Sequence, residues 1–137
     1  MHVQGQFTVD NIGLVVIIAI AVMFVAPYLY MRVSAARAVG KPVPAIARIN
    51  GKDIDTRQSI YLYFMSKNCS SCKKMTPAIE QLKIPGLAIV DINRSPELAS
   101  EFHIYGTPTL MVVKHGHIKK VKLGKLRNNK IYQFFVD

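Results

Sequence analysis

The chain has no tryptophan and only two cysteines. Two cysteines cannot form the multi-bridge framework of small secreted domains, and alone they supply half of a four-ligand zinc site. Acid is scarce as well: eight Asp and Glu stand against eighteen Lys and Arg, a formal charge of +10. No internal repeat or low-complexity segment interrupts the chain. Charge is missing altogether from Ile12 to Met31, a run of twenty residues.

As a helix that run would be about 30 Å long, the thickness of a bilayer's hydrocarbon core. Tyr28 and Tyr30 lie near one end, where amphipathic rings suit the headgroup region, and Arg32 closes the run. A cleaved signal peptide and a buried core helix are the competing readings. Residues 1–11 carry no Lys or Arg, the run exceeds a usual signal core, and Ala36-Arg37-Ala38 matches a cleavage site poorly. A small domain rarely buries twenty uncharged residues in succession. The expectation is an N-terminal tail (1–11), a transmembrane helix (12–31), a linker (32–44) closed by Gly40-Lys41-Pro42-Val43-Pro44, and one domain (45–137).

The positive charge gathers in Lys114, Lys119, Lys120, Lys122, Lys125, Arg127 and Lys130, with no acid between them. Such a patch suits anionic lipid, acidic partners or nucleic acid. A solvated face beside a membrane is the simpler account. No aromatic residue interleaves with the cluster, so nucleic-acid binding is not expected.

Within the domain, Asn50-Gly51 signals a tight hairpin. Ser59–Met65 is a compact β-type run, followed by a helix from Cys69 to Lys83 with Met75, Ile79 and Leu82 on one face. Leu87–Ile92 is a second strand. Ser95 caps a helix that opens with Pro96 and ends near His103. Strands Thr109–Val113 and Ile118–Leu123 flank His115-Gly116, and a last amphipathic helix runs from Lys125 to Val136, with Leu126, Ile131, Phe134 and Phe135 inward. Strands joined by helices, then a hairpin, imply an α/β layered sheet.

Cys69-Ser70-Ser71-Cys72 stands where a strand gives way to a helix. A sulfur at a helix N-terminus meets unpaired N–H groups and the positive end of the dipole, both of which stabilise a thiolate. The thiolate is the attacking species in disulfide exchange, and a cysteine three residues on can resolve the mixed disulfide. Lys73 and Lys74 add positive potential. The same thiols could instead hold copper or zinc with His103, His115 or His117, although no spacing sets up a tetrahedral site.

From about residue 43 to 136 the chain resembles the thioredoxin superfamily. The resemblance is carried by Ile60–Phe64, Cys69-Ser70-Ser71-Cys72-Lys73-Lys74-Met75-Thr76-Pro77, Val90-Asp91-Ile92-Asn93, Pro96-Glu97-Leu98-Ala99, Phe102–Leu110 with its Gly106-Thr107-Pro108-Thr109, and Gly124. The anchor and the Gly-Lys-Pro-Val-Pro entry are similar to membrane-anchored bacterial thioredoxin-like proteins. The resemblance implies a thioredoxin-like mixed sheet flanked by helices, preceded by one N-terminal transmembrane helix. It implies a thiol–disulfide oxidoreductase that needs no cofactor and exchanges disulfides with protein partners and a redox donor or acceptor protein. Cys69 would attack and Cys72 resolve. Pro108 would be cis and pack beside the pair, and Thr107 would offer backbone groups to an extended substrate.

This sequence also departs from the family pattern. Asn68 replaces the usual Trp, Ser70-Ser71 the usual Gly-Pro, Tyr63 a buried acid and Ile89 its lysine neighbour, and the first long helix is missing. Loss of the acid suggests a narrower set of partners. Two further readings stand beside exchange: a metal-handling or assembly protein using the same thiols, and a basic membrane-surface adaptor. On membrane side two arguments conflict. Arg32, Arg37 and Lys41 follow the apolar run while only Asp10 precedes it, which by the positive-inside rule puts the domain in the cytoplasm. Tethered relatives face the periplasm, where disulfides form. On balance the expectation is a single-pass bacterial inner-membrane protein with a periplasmic domain.

Overall fold

A computed structural model describes residues 9–137. The chain divides after Arg32 into two units. The expected N-terminal tail lies almost wholly outside the described residues. Helix α1 spans Val9–Arg37 and contains the whole uncharged run, with Pro27 inside it. Its side chains from Asn11 to Tyr30 are all exposed. A helix apolar on every side has no solvent face, and Asn11–Arg37 is long and apolar enough to cross a membrane.

The second unit opens with a hairpin of β1 (Ile46–Ile49) and β2 (Lys52–Asp55). Asn50 and Gly51 make its turn at φ 51° and 79°, the paired positive values that an Asn-Gly turn supplies. A separate four-stranded sheet has the order β4-β3-β5-β6. Here β3 (Ile60–Met65) runs parallel to β4 (Leu87–Asp91) and antiparallel to β5 (Thr109–Lys114), and β5 pairs antiparallel with β6 (His117–Leu123). Helices α2 (Ser70–Glu80), α3 (Pro96–Glu101) and α4 (Asn128–Val136) complete the unit.

Strand β3 is buried on both sides, so its side chains sort into two cores by alternation. Leu62 and Phe64 join Val90, Met111, Val113, Ile118, Leu98 and Phe102 on one face. Tyr63 joins Met75 and Ile79 of α2, Leu110 and Val112 of β5, and Ile131 and Phe135 of α4 on the other.

Segment 32–44, expected as a linker, is partly built into the fold. Helix α1 runs on to Arg37, and Ala38 beyond it is wholly buried. Gly40 N donates to Ile118 O at 2.8 Å, Ile118 N to Lys41 O at 3.0 Å and Val43 N to Gly116 O at 2.9 Å. These bonds cover the first part of the otherwise unpaired edge of β6.

Three helix ends differ from the sequence expectation. Helix α2 stops at Glu80 rather than Lys83, where Gln81 N bonds Pro77 O and Leu82 N turns to Ile79 O. Ser95 stands at the N-cap of α3, but its side chain makes no capping bond. Helix α4 begins at Asn128 rather than Lys125, with Arg127 still extended at its N-cap, φ −67° and ψ 143°. Gly124, at φ 95°, donates to Pro108 O, and Leu126 N donates to Met75 Sδ.

Candidate active site

The turn after β3 is held by Ser66. Its carbonyl accepts Cys69 N at 3.1 Å, and its hydroxyl accepts Asn68 N at 3.3 Å and Asn93 Nδ2 at 3.1 Å. That turn delivers Cys69 to the N-cap of α2 in an extended conformation, φ −86° and ψ 112°. Its Sγ accepts Cys72 N at 3.1 Å. The sulfur thus sits where a helix leaves N–H groups unsatisfied, which favours its anionic form once the bond is reduced.

Cys69 and Cys72 are joined in a disulfide, with Cα atoms 5.2 Å apart. The two sulfurs' residues differ in access: Cys72 is fully buried, whereas Cys69 is partly exposed beside exposed Ser70, Lys73 and Lys74.

Beneath Cys72 lies a polar arrangement that the sequence did not disclose. Thr76 Oγ1 donates to Cys72 O at 2.8 Å and lies 3.0 Å from the Tyr63 hydroxyl, which is also 3.5 Å from Cys72 O. Thr76 spends its proton on the carbonyl, so Tyr63 is the donor between the two hydroxyls. Burial pushes the Tyr63 phenol above its ordinary pKa, with Glu80 adding to the rise and the Thr76 bond opposing it. Tyr63 is therefore a neutral hydroxyl in the place where the resemblance puts an acid. Its Cα partner on β4 is Ile89. The available signal was Thr76 itself, four residues after Cys72, the spacing at which a threonine hydroxyl bonds back to a helical carbonyl.

The register Phe64↔Thr109 brings the start of β5 to the sheet end from which the cysteine loop departs. There the Thr107–Pro108 peptide bond is cis. Pro108 is buried, and its carbonyl accepts Gly124 N at 2.8 Å. Thr107 is partly exposed, and Thr109 Oγ1 donates to Gly106 O at 2.7 Å. Cys69, Cys72, Thr107 and Pro108 thus share one end of the sheet.

The histidines considered as ligands do not share it. His115 and His117 lie at the β5–β6 turn, at the opposite end of β5 from Pro108. His103 closes α3, with its pKa lowered by burial and by nearby Lys41. Among the described residues no three His, Cys, Asp or Glu side chains converge.

Comparison with known proteins agrees with this geometry. Residues 50–137 match the thioredoxin family model. A thioredoxin of Rhodospirillum rubrum is 29% identical over 76 residues, covering 52% of this chain and 73% of that protein. A thioredoxin of Rickettsia bellii is 31% identical over 77 residues, covering 52% and 72%. Among solved structures, a mutant thioredoxin from Halobacterium salinarum superposes with a TM-score of 0.50 at 21% identity, covering 58% of this chain and 73% of that one, a likeness of fold. With its fold, its family match and a Cys-x-x-Cys disulfide at a helix N-terminus in agreement, this chain belongs to the thioredoxin family and is a thiol–disulfide oxidoreductase.

Proposed function

We propose that the chain exchanges disulfides with protein partners from a membrane tether, with Cys69 as nucleophile and Cys72 as resolving thiol. The observation that carries the assignment is the difference in access between a partly exposed Cys69 at the helix N-cap and a fully buried Cys72. Starting from the disulfide, a partner thiolate attacks Cys69 Sγ. The Cys69–Cys72 bond breaks, and Cys72 leaves as a thiolate that takes a proton. A second partner thiolate then attacks the mixed disulfide and expels Cys69 as a thiolate. Two electrons pass from the partner's dithiol to the cysteine pair. The reverse sequence reduces a partner's disulfide.

Pro108 and Thr107 form the wall against which an extended partner segment lies, with Thr107 backbone groups available for strand-like pairing. A separate redox protein restores the pair. The apolar helix holds the domain at a bacterial inner membrane, and the periplasmic side suits the chemistry because disulfides form there.

The test is trapping. In full-length Cys72→Ser, Cys69 has no resolving thiol and accumulates mixed disulfides with partner proteins. Cys69→Ser should accumulate none, because Cys72 is out of reach. Equal trapping by both variants overturns the assignment.

A further inference from the structure

Two segments frame the disulfide, and both are cationic. The first is the cysteine loop with the start of α2, where Lys67, Lys73 and Lys74 are exposed. The second is the stretch between β6 and α4, where Lys125 and Arg127 are exposed. This second segment is far from the cysteines in sequence, yet backbone bonds fix it at the site. Gly124 N donates to Pro108 O at 2.8 Å, and Leu126 N donates to the sulfur of Met75, one helical turn beyond the cysteine pair, at 3.4 Å. Lys125 is held between these two anchors, with Arg127 next along the chain.

No carboxylate answers these five cations. Among the described residues the ion pairs are Arg48–Asp53, Arg57–Asp55 and Arg94–Asp91. No acid occurs from Ser66 to Ile79 or from Phe102 to Val136. Asp91, at the end of β4, is the acid nearest this end of the sheet. It lies 4.0 Å from Arg94 and accepts Asn93 N at 3.0 Å, and it pairs with none of the five cations. Glu80 closes α2 at the end away from Cys69.

We propose that the segment of a protein partner that enters this site is acidic, with Asp or Glu flanking its reactive cysteines. The inference rests on the exchange reading above and adds the chemical class of its substrate. Unpaired cations around a reacting sulfur raise the local concentration of an anionic segment and speed its encounter. They also favour the thiolate in the partner's own leaving group.

The test uses the oxidised full-length chain in discs of zwitterionic lipid, with two dithiol peptides of the same Cys-x-x-Cys core. One is flanked by Glu and the other by Lys. Each peptide's two thiols close to a disulfide while Cys69–Cys72 opens to two thiols, a transfer of two electrons and two protons. Each rate is divided by the same peptide's rate with 2-hydroxyethyl disulfide, which removes differences in peptide thiol reactivity. At low ionic strength the Glu peptide should react about tenfold faster, within the range of electrostatic steering. The ratio should fall toward one near 1 M salt, where screening acts within about 3 Å. Lys125→Glu/Arg127→Glu should abolish or reverse the preference. If that variant fails to fold, the salt dependence of the unmodified chain decides. Equal rates for the two peptides overturn the inference. So do equal rates that both fall when phosphatidylglycerol is added to the discs, since the cations then face lipid. If neither peptide nor dithiothreitol reduces the pair, the exchange reading itself has failed, a distinct result.

Discussion

The hydroxyls beneath Cys72 give a sharp prediction about stability. Tyr63 is fully buried, and its hydroxyl donates to Thr76 Oγ1 at 3.0 Å, while Thr76 donates to Cys72 O at 2.8 Å. Tyr63→Phe removes the outer donor only. Thr76 keeps its acceptor, no buried group is orphaned, and the loss is one hydrogen bond, about 1 kcal/mol. In a unit of roughly a hundred residues that lowers Tm by about 4–8 °C. Thr76→Val keeps the shape but leaves the Tyr63 hydroxyl with only Cys72 O, at 3.5 Å. A buried hydroxyl so poorly bonded should cost about 2 kcal/mol. In the double variant both polar groups are gone, so its loss should fall about 1 kcal/mol short of the sum. Urea unfolding of the four oxidised proteins, followed by circular dichroism, measures all three numbers. A larger loss for Tyr63→Phe than for Thr76→Val, or strict additivity, would refute the donor assignment.

The same tyrosine predicts an alkaline limit. Its folded pKa lies above the ordinary 10.0, so the folded state holds the proton more tightly. That contribution is complete below about pH 10 and lost above it. Tyr63→Phe should lose less stability on this titration. His103 works the other way. Its folded pKa lies below 6.5, so stability falls as pH drops below about 6.5, and His103→Asn should flatten the slope. His103 also sits at φ 55° closing α3, so His103→Gly should stabilise the domain by about 0.5 kcal/mol in thermal melts. A fragment starting at residue 45 should be less stable than one starting at 33 by about 2–4 kcal/mol in urea. It loses two backbone bonds to Ile118 of β6 and one to Gly116 just before it, at about 1 kcal/mol each, together with buried Ala38 and Val43, offset in part by the entropy of ordering the segment. Equal stability of the two fragments would mean that segment 38–43 is a passive tether.

Much of the fold was legible because local chemistry and tertiary structure agree. Asn50-Gly51 carries its own turn geometry, and the compact apolar run Ser59–Met65 reads as a strand without need of distant partners, although which side chain joins which of the two cores appears only in the structure. The cysteine pair was legible because strand, spacing and helix start coincide. The misses are places where long-range contacts decide. Leu126 looks helical in sequence, yet it lies in the extended approach to α4, where its N–H meets Met75 Sδ, fifty-one residues away, and Arg127 after it is extended at the N-cap. Segment 38–43 has the glycines and prolines of a linker, yet its backbone groups find partners on an open strand edge. Ser95 has the composition of a cap, but a bend at φ −136° and ψ 65° leaves its hydroxyl out of the helix end. The tie between residues 124–126 and the cysteine helix was invisible for the same reason, and it sets the charge around the site.

The central claim is that a partner sulfur is exchanged at Cys69. The most direct measurement exposes the oxidised, unmodified chain briefly to glutathione, quenches with N-ethylmaleimide and maps the adducts by peptide mass spectrometry. The account predicts glutathione on Cys69 and maleimide on Cys72, since only Cys69 is open to attack. Glutathione on Cys72, or an even distribution over both sulfurs, would contradict it.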